Sequence, residues 1–258
     1  MRLWNFRGEQ NTIAEALQLK IPDHAVISFT GAGGKTSLMC ALAGELSASG
    51  RKTVITTTTH MLHPDQIPAA HPYSGMRVIY CDPDSSGSDD GLCADISSAL
   101  EEKRLIMVVS PDPQRPQKVT QPPQWLLDHL YHTADAVLIE ADGSRRKPFK
   151  WPAPWEPVVP GRTDITICVA GLTALGRNIR DAMYGAEYIP ESFMRDTVDE
   201  QLMNAVLSSV DGGRRGETGE FRVFMNQADT EELALAASRI QMMLAVCGIQ
   251  SAWGTLAE

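Results

Sequence analysis

An α/β fold with a doubly wound, mostly parallel sheet and helices on both faces is predicted by three observations. Short runs that are apolar throughout alternate with longer segments of helical period. Such strands are covered on both faces, the habit of parallel sheets sandwiched between helices. The first run opens into a glycine-rich turn closed by Lys35 and Thr36, and a later one, Ala136–Glu140, ends in carboxylates.

Taken in order, Ala25–Phe29 reads as a strand, Lys35–Ala48 as a helix and Thr53–Thr57 as a second strand. Met76–Tyr80 is a third strand, Ala94–Lys103 a helix and Leu105–Val109 another strand. Gln124–His132 reads as a helix, Ala136–Glu140 and Asp164–Ala170 as strands, and Val198–Val210 as a helix. Phe221–Met225, Glu231–Cys247 and Gln250–Trp253 follow as strand, helix and short strand. Three stretches interrupt the alternation: acidic, Gly/Ser-rich Asp82–Gly91, Pro/Gln-rich Pro111–Pro123, and the proline-studded Trp151–Pro160, where helix is excluded. The expectation is one domain over 1–258, with loop insertions near 82–91, 111–123 and 143–162.

Composition narrows the function classes. At 43% hydrophobic and 21% charged the chain is globular in type, and its net charge of −9 argues against broad binding to nucleic acid or anionic membranes. No apolar run is long enough for a membrane span, and the first residues lack the apolar stretch of a signal peptide, so a cytoplasmic protein is expected. The five cysteines include no CxxC pair, which predicts reduced, mostly buried thiols.

The most informative segment runs from Val26 to Leu38. A strand leads into Gly31-Ala32-Gly33-Gly34-Lys35-Thr36-Ser37 and then into a helix. Glycines let backbone N–H groups approach phosphate oxygens, and the helix N-terminus adds unpaired donors and a positive dipole end. Lys35 is placed to reach the β and γ phosphates, and the Thr36 hydroxyl to ligate Mg²⁺. The fold class is therefore P-loop NTPase-like. The loop departs from G-x-x-x-x-G-K-[ST], because Phe29 occupies the position of the first glycine; G-x-x-G-K-T remains, a form also found in Mur-type amide ligases.

Further candidates lie at strand ends, where ligands bind in such folds. Thr58, Thr59 and His60 follow the second strand and would face the nucleotide, the threonine hydroxyls holding phosphate or Mg²⁺-bound water; equally, residues there serve as strand filler. His60 and His63, like His129 and His132, have H-x-x-H spacing, without the cysteine or glutamate partners of a metal site. Glu140 and Asp142 have the form of a Walker B element, holding Mg²⁺ or polarising water; side-chain alternation would aim both the same way if the strand continues. Arg145, Arg146, Lys147 and Lys150 come next and form either a pocket for the triphosphate or a second anionic ligand, or a solvated loop. Asn226 and Asp229, in Asn226-Gln227-Ala228-Asp229, resemble a guanine-reading N-K-x-D element with Gln227 in place of lysine; a helix cap at Asp229 accounts for the same residues. The nucleotide is thus ATP or GTP, with Mg²⁺.

The FTGAGGKTSL loop, Thr56–Met61 (TTTTHM), Glu140–Pro152 (EADGSRRKPFKWP) and Glu156–Pro160 (EPVVP) occur together in an order that resembles the YqeC family, accessory proteins of selenium-dependent molybdenum hydroxylases. The resemblance spans most of the chain, and the EADGS and EPVVP blocks are its specific part. It implies a P-loop NTPase fold, a role in selenium-containing cofactor biosynthesis and a molybdenum hydroxylase maturation partner. Three functions fit the residues: a Mg²⁺-dependent NTPase or phosphoryl-transfer enzyme, a slow nucleotide-dependent assembly switch with a protein client, and a ligase forming an acyl phosphate.

Overall fold

The computed structural model describes residues 1–64 and 76–256. The chain opens with an antiparallel hairpin, β1 (Arg2–Asn5) and β2 (Gly8–Gln10), and a one-turn helix α1 (Ile13–Ala16) capped by the Thr12 hydroxyl. The phosphate-loop unit follows: β3 (Ala25–Gly31), the glycine turn, α2 (Lys35–Ala48) and β4 (Thr53–Thr57). Beyond it lie β5 (Met61–Leu62), β6 (Arg77–Tyr80), α3 (Asp90–Lys103), β7 (Leu105–Pro111), β8 (Lys118–Thr120), α4 (Gln124–Thr133) and β9 (Ala136–Glu140).

The C-terminal part contains β10 (Phe149–Lys150), β11 (Ile165–Gly171), α5 (Ile179–Ala182), β12 (Met183–Tyr184), α6 (Glu200–Ser208), β13 (Glu220–Asn226), α7 (Glu231–Val246) and β14 (Gln250–Thr255). One sheet runs β2-β1-β14-β13-β11-β3-β9-β4-β7-β8-β5, with β6 also on β7. Its centre, β14 through β7, is parallel throughout. Among the described strands every antiparallel pair includes β1, β2, β5 or β8.

Alternation of side chains along each central strand sends neighbours to opposite faces. Ile27 and Phe29 of β3 join Leu38 and Leu42 of α2 in one buried cluster, while Val26 packs with Ile96 of α3 and Leu130 of α4 on the other face. Likewise Ile167 faces α2, and Cys168 and Ala170 pack toward Leu202 of α6 and Ile240 of α7. The fold is the expected α/β P-loop class, with helices on both faces. Among the described residues no helix is long and apolar enough to cross a membrane. No disulfide forms among the described residues; Cys40, Cys81 and Cys168 are buried, but Cys247 is exposed.

Boundaries moved where a cap or a short strand overrides the apolar pattern. Helix α3 begins four residues before the expected Ala94, because the Asp89 carboxylate accepts the Leu92 N–H at 3.0 Å and draws the end of the acidic stretch into the first turn. Helix α6 starts after Asp199, which caps Leu202 at 2.7 Å, rather than at Val198. Two of the expected loop insertions carry sheet: β8 lies within 111–123, and β10 pairs with β12 in a separate two-stranded sheet. Runs of two or three residues leave no periodic signature to read.

Candidate functional site

Strand β3 lies mid-sheet, with β9 on one side and β11 on the other. After β3 the chain builds the β9, β4, β7 side, and after β9 it crosses to β11, so strand order reverses around β3. That reversal opens a crevice at the carboxyl ends of the strands, where ligands bind in open α/β sheets. The glycine turn sits there. A Cβ at Gly31 would lie 2.2 Å from the Val169 carbonyl oxygen, and one at Gly33 would lie 2.3 Å from Gly171 N; both residues have positive φ. Close packing on β11 therefore demands glycine before any ligand does.

The loop's amides are divided between two tasks. Gly31 N–H donates to Asp142 Oδ2 at 3.0 Å and Ala32 N–H to the Val169 carbonyl at 2.8 Å, so both are engaged within the protein. Gly33, Gly34, Lys35, Thr36 and Ser37 line an open cleft of about 1460 Å³. Gly31 and Ala32 lie outside the lining of that cleft.

The two strand-end carboxylates part company. Glu140 pairs in register with Phe29 and Thr57 on its two neighbours, and its Oε2 accepts the Thr36 hydroxyl at 2.7 Å. It lines the cleft. Burial pushes its carboxyl above the ordinary range, an effect only partly offset by Lys35 and the Thr36 bond. Strand β9 stops at Glu140, so alternation does not carry Asp142 to the same side. Asp142 lies beneath the loop, 2% exposed, between the ammonium groups of Lys35 at 3.1 Å and Lys150 at 3.0 Å. It is outside the cleft wall, and its oxygens hold the loop's lysine and backbone.

Lys35 also donates to the Gly31 carbonyl at 2.7 Å. Burial opposes its charge, but Asp142, Glu140 and Glu156 outweigh that and hold its pKa above the ordinary lysine value. A hydroxyl and a carboxylate in contact at the cleft wall, Thr36 and Glu140, form an all-oxygen donor set. That suits Mg²⁺, which takes few protein oxygens and completes its shell with phosphate and water.

The basic stretch also divides. Lys150 is buried against Asp142 and Glu156 (2.9 Å) and donates to the Gly143 carbonyl. Lys147 donates to the Arg180 and Met183 carbonyls. These two fasten the loop. Arg145 and Arg146 are exposed, have left-handed φ and line the cleft, with Arg145 over the Tyr184 ring at 5.7 Å.

Thr58 and Thr59 line the cleft, but the Thr58 hydroxyl donates to the Val158 carbonyl at 2.6 Å and ties β4 to the EPVVP segment. Asn226 supports the loop, donating to the Gly33 carbonyl at 2.9 Å. Asp229 is exposed, accepts from the Thr255 hydroxyl at 3.0 Å and lies outside the cleft wall. From this segment the cleft meets Gln227, which accepts from Thr173 at 2.6 Å. No cluster of histidine, cysteine and carboxylate ligands forms among the described residues. His60 Nδ1 instead sits 2.9 Å from Asp112 Oδ2, and His63 stacks on Tyr80.

Sequence reasoning passed over Arg115, Lys118 and Trp155, which also line the cleft. The first two lie in the Pro/Gln-rich stretch, whose cations were the available signal; β8 brings them across from the loop.

The family model described as YqeC protein matches residues 27–186. An uncharacterized protein YqeC of Escherichia coli (strain K12) is 36% identical over 156 residues, covering 60% of this chain and 54% of that protein, so the match spans about half the relative's length. Among solved structures, a MinC:MinD cell division complex of Aquifex aeolicus aligns at 9% identity and a TM-score of 0.41, over 88% of this chain and 79% of that one. An apo GTPase of Pyrococcus abyssi aligns at 10% identity and a TM-score of 0.33, over 90% and 91%. The chain belongs to the YqeC family.

Proposed function

With family membership as the premise, we propose that the chain acts as one nucleotide-binding domain that takes ATP or GTP with Mg²⁺ and hydrolyses or transfers the terminal phosphoryl group. The observation that carries this reading is the Thr36 hydroxyl on the Glu140 carboxylate, at the mouth of a glycine turn that also presents Lys35. Lys35 and the amides of Gly33–Ser37 would hold the phosphates, and Thr36 and Glu140 the Mg²⁺. The ion neutralises charge on the phosphate oxygens when bound. Arg145 and Arg146 would meet the γ phosphate or a second anionic substrate. Calorimetric titration of the full chain with ATP, GTP and their diphosphates tests the reading. Saturable, Mg²⁺-dependent triphosphate binding that Lys35→Ala weakens at least tenfold is expected, and equal affinity in parent and variant would refute it.

The family resemblance supports a narrower role, service to the maturation of a selenium-dependent molybdenum hydroxylase or its cofactor. Deleting the gene should then lower the activity of such a hydroxylase in its host without lowering the amount of hydroxylase polypeptide; unchanged activity would dismiss that role.

A further inference from the structure

The phosphate loop and Glu140 account for binding nucleotide and metal, but neither supplies a group to take a proton from the nucleophile. Glu140 is engaged by Thr36, and Glu156 is bound to Lys150. The Tyr184 phenol has its pKa pushed up by burial and by Glu156. His60 is the one histidine on the cleft wall among the described residues. Strand β4 delivers it: the Thr57 hydroxyl and the Thr58 N–H both donate to the Glu140 carbonyl, at 2.8 and 3.1 Å, and His60 follows two residues later.

Its neighbour Asp112 is 7% exposed and has two unlike oxygens. Oδ1 accepts the Gln114 and Arg115 N–H groups at 3.0 and 3.2 Å and shapes the turn after β7. Oδ2 is buried, has no aligned hydrogen bond among the described residues, and lies 2.9 Å from His60 Nδ1 in an ion-pair contact. An acceptor buried in this way is costly unless a donor turns to it. The turn explains Oδ1; among the described residues His60 is the group that faces Oδ2. The imidazole is 43% exposed, and its Nε2 has no partner among the described residues.

We propose that His60, oriented by Asp112, is the general base that accepts the proton of the oxygen nucleophile attacking the terminal phosphoryl group. This rests on the nucleotide reading above and adds a catalytic residue to it. With Nδ1–H directed at Asp112, the Nε2 lone pair is the free base, and the buried carboxylate stabilises the imidazolium that forms. The nucleophile's O–H proton passes to Nε2 as its oxygen bonds to phosphorus. The bond from phosphorus to the bridging oxygen breaks, and the nucleoside diphosphate leaves with the electron pair. With water as the nucleophile the product is inorganic phosphate. The cleft exceeds the roughly 1,000 Å³ upper range of single-ligand sites, which leaves room for a nucleophile larger than water beside the nucleotide. Arg115 and Lys118 on the same wall suit an anionic one.

The test is phosphate release from Mg²⁺-ATP and Mg²⁺-GTP by the full chain, with nucleotide Kd measured in parallel. For His60→Ala, kcat should fall about 100-fold with Kd within about twofold of the parent, and added imidazole should restore part of the loss. Asp112→Asn should lower kcat and displace the acidic limb of the pH–rate profile, and the double variant should be no slower than His60→Ala alone. Parental turnover in His60→Ala would overturn the inference. So would a loss that imidazole leaves untouched and that comes with weakened nucleotide binding. A parent that binds nucleotide but never turns it over would overturn the inference and the catalytic half of the proposed function, leaving binding intact. A parent that binds no nucleotide would remove the proposed function itself.

Discussion

The nest of charges beneath the phosphate loop and the cationic rim of the cleft use the same residue types in opposite ways. In the nest, Lys35, Asp142, Lys150 and Glu156 are largely withdrawn from water and paired in series. On the rim, Arg145 and Arg146 are exposed, with no ion pair among the described residues. Buried charges in low dielectric are costly when left alone, so the nest is structural and least tolerant of losing Asp142, which both lysines share. Exposed cations contribute little to folding, and salt screens them. They are therefore available to a ligand. The two regions are adjacent in sequence, and the chain passes from the rim at Arg145 and Arg146 to the nest at Lys150 within one short loop.

The sharpest way to break this contrast is Asp142→Ala. It leaves two buried ammonium groups facing each other, and removing one partner of a buried pair costs about 3–5 kcal/mol. A melting temperature lower by on the order of ten degrees is expected in thermal denaturation. A melting point within a degree of the parent would mean that the nest is not what holds the loop.

Lys35→Ala tests the point where the nest reaches the ligand. Asp142 keeps Lys150 and the Gly31 amide, so the fold should survive while triphosphate affinity falls tenfold or more, about 1.4 kcal/mol, by calorimetry.

Glu140→Gln separates stability from chemistry. The folded-state pKa of Glu140 is raised, so the neutral acid is the form favoured by folding. The stability this contributes is complete below the ordinary glutamate range and is lost as pH rises through the raised value. Glutamine mimics the neutral acid and keeps an acceptor for Thr36. The variant should melt at or slightly above the parent's temperature at pH 7, and the interval between the two should shrink on acidification. Mg²⁺-dependent turnover should nonetheless fall at least tenfold. Parental turnover would detach Glu140 from the metal.

The smallest structural effect belongs to the rim. Arg145→Ala with Arg146→Ala should leave the melting temperature within about one degree. Turnover should fall severalfold and depend less on salt than in the parent. Unchanged affinity and turnover would make the loop a solvated one and move the search for a second ligand to the wall formed by Arg115 and Lys118.

By itself the sequence determined the order of the central strands and the longer helices, the parallel core and the position of the phosphate loop. Those depend on local signals: apolar runs of strand length, helical period, and a glycine turn before Lys35-Thr36. Strand β4, helix α2 and strand β9 have the boundaries read from the residues, because their apolar patterns end abruptly at polar or turn residues. Tertiary structure alone decided which of two carboxylates two residues apart faces the cleft, which of four neighbouring cations are spent on folding, and that Asp112 lies against His60 from 52 positions away. Those outcomes depend on where β9 stops, on carbonyls brought in by α5 and β12, and on the turn after β7. Pairing between side chains distant along the chain leaves no period or spacing in the sequence. It is set by the packing of β11 against the glycine turn and of β8 across the cleft, which buries some charges and leaves others in water.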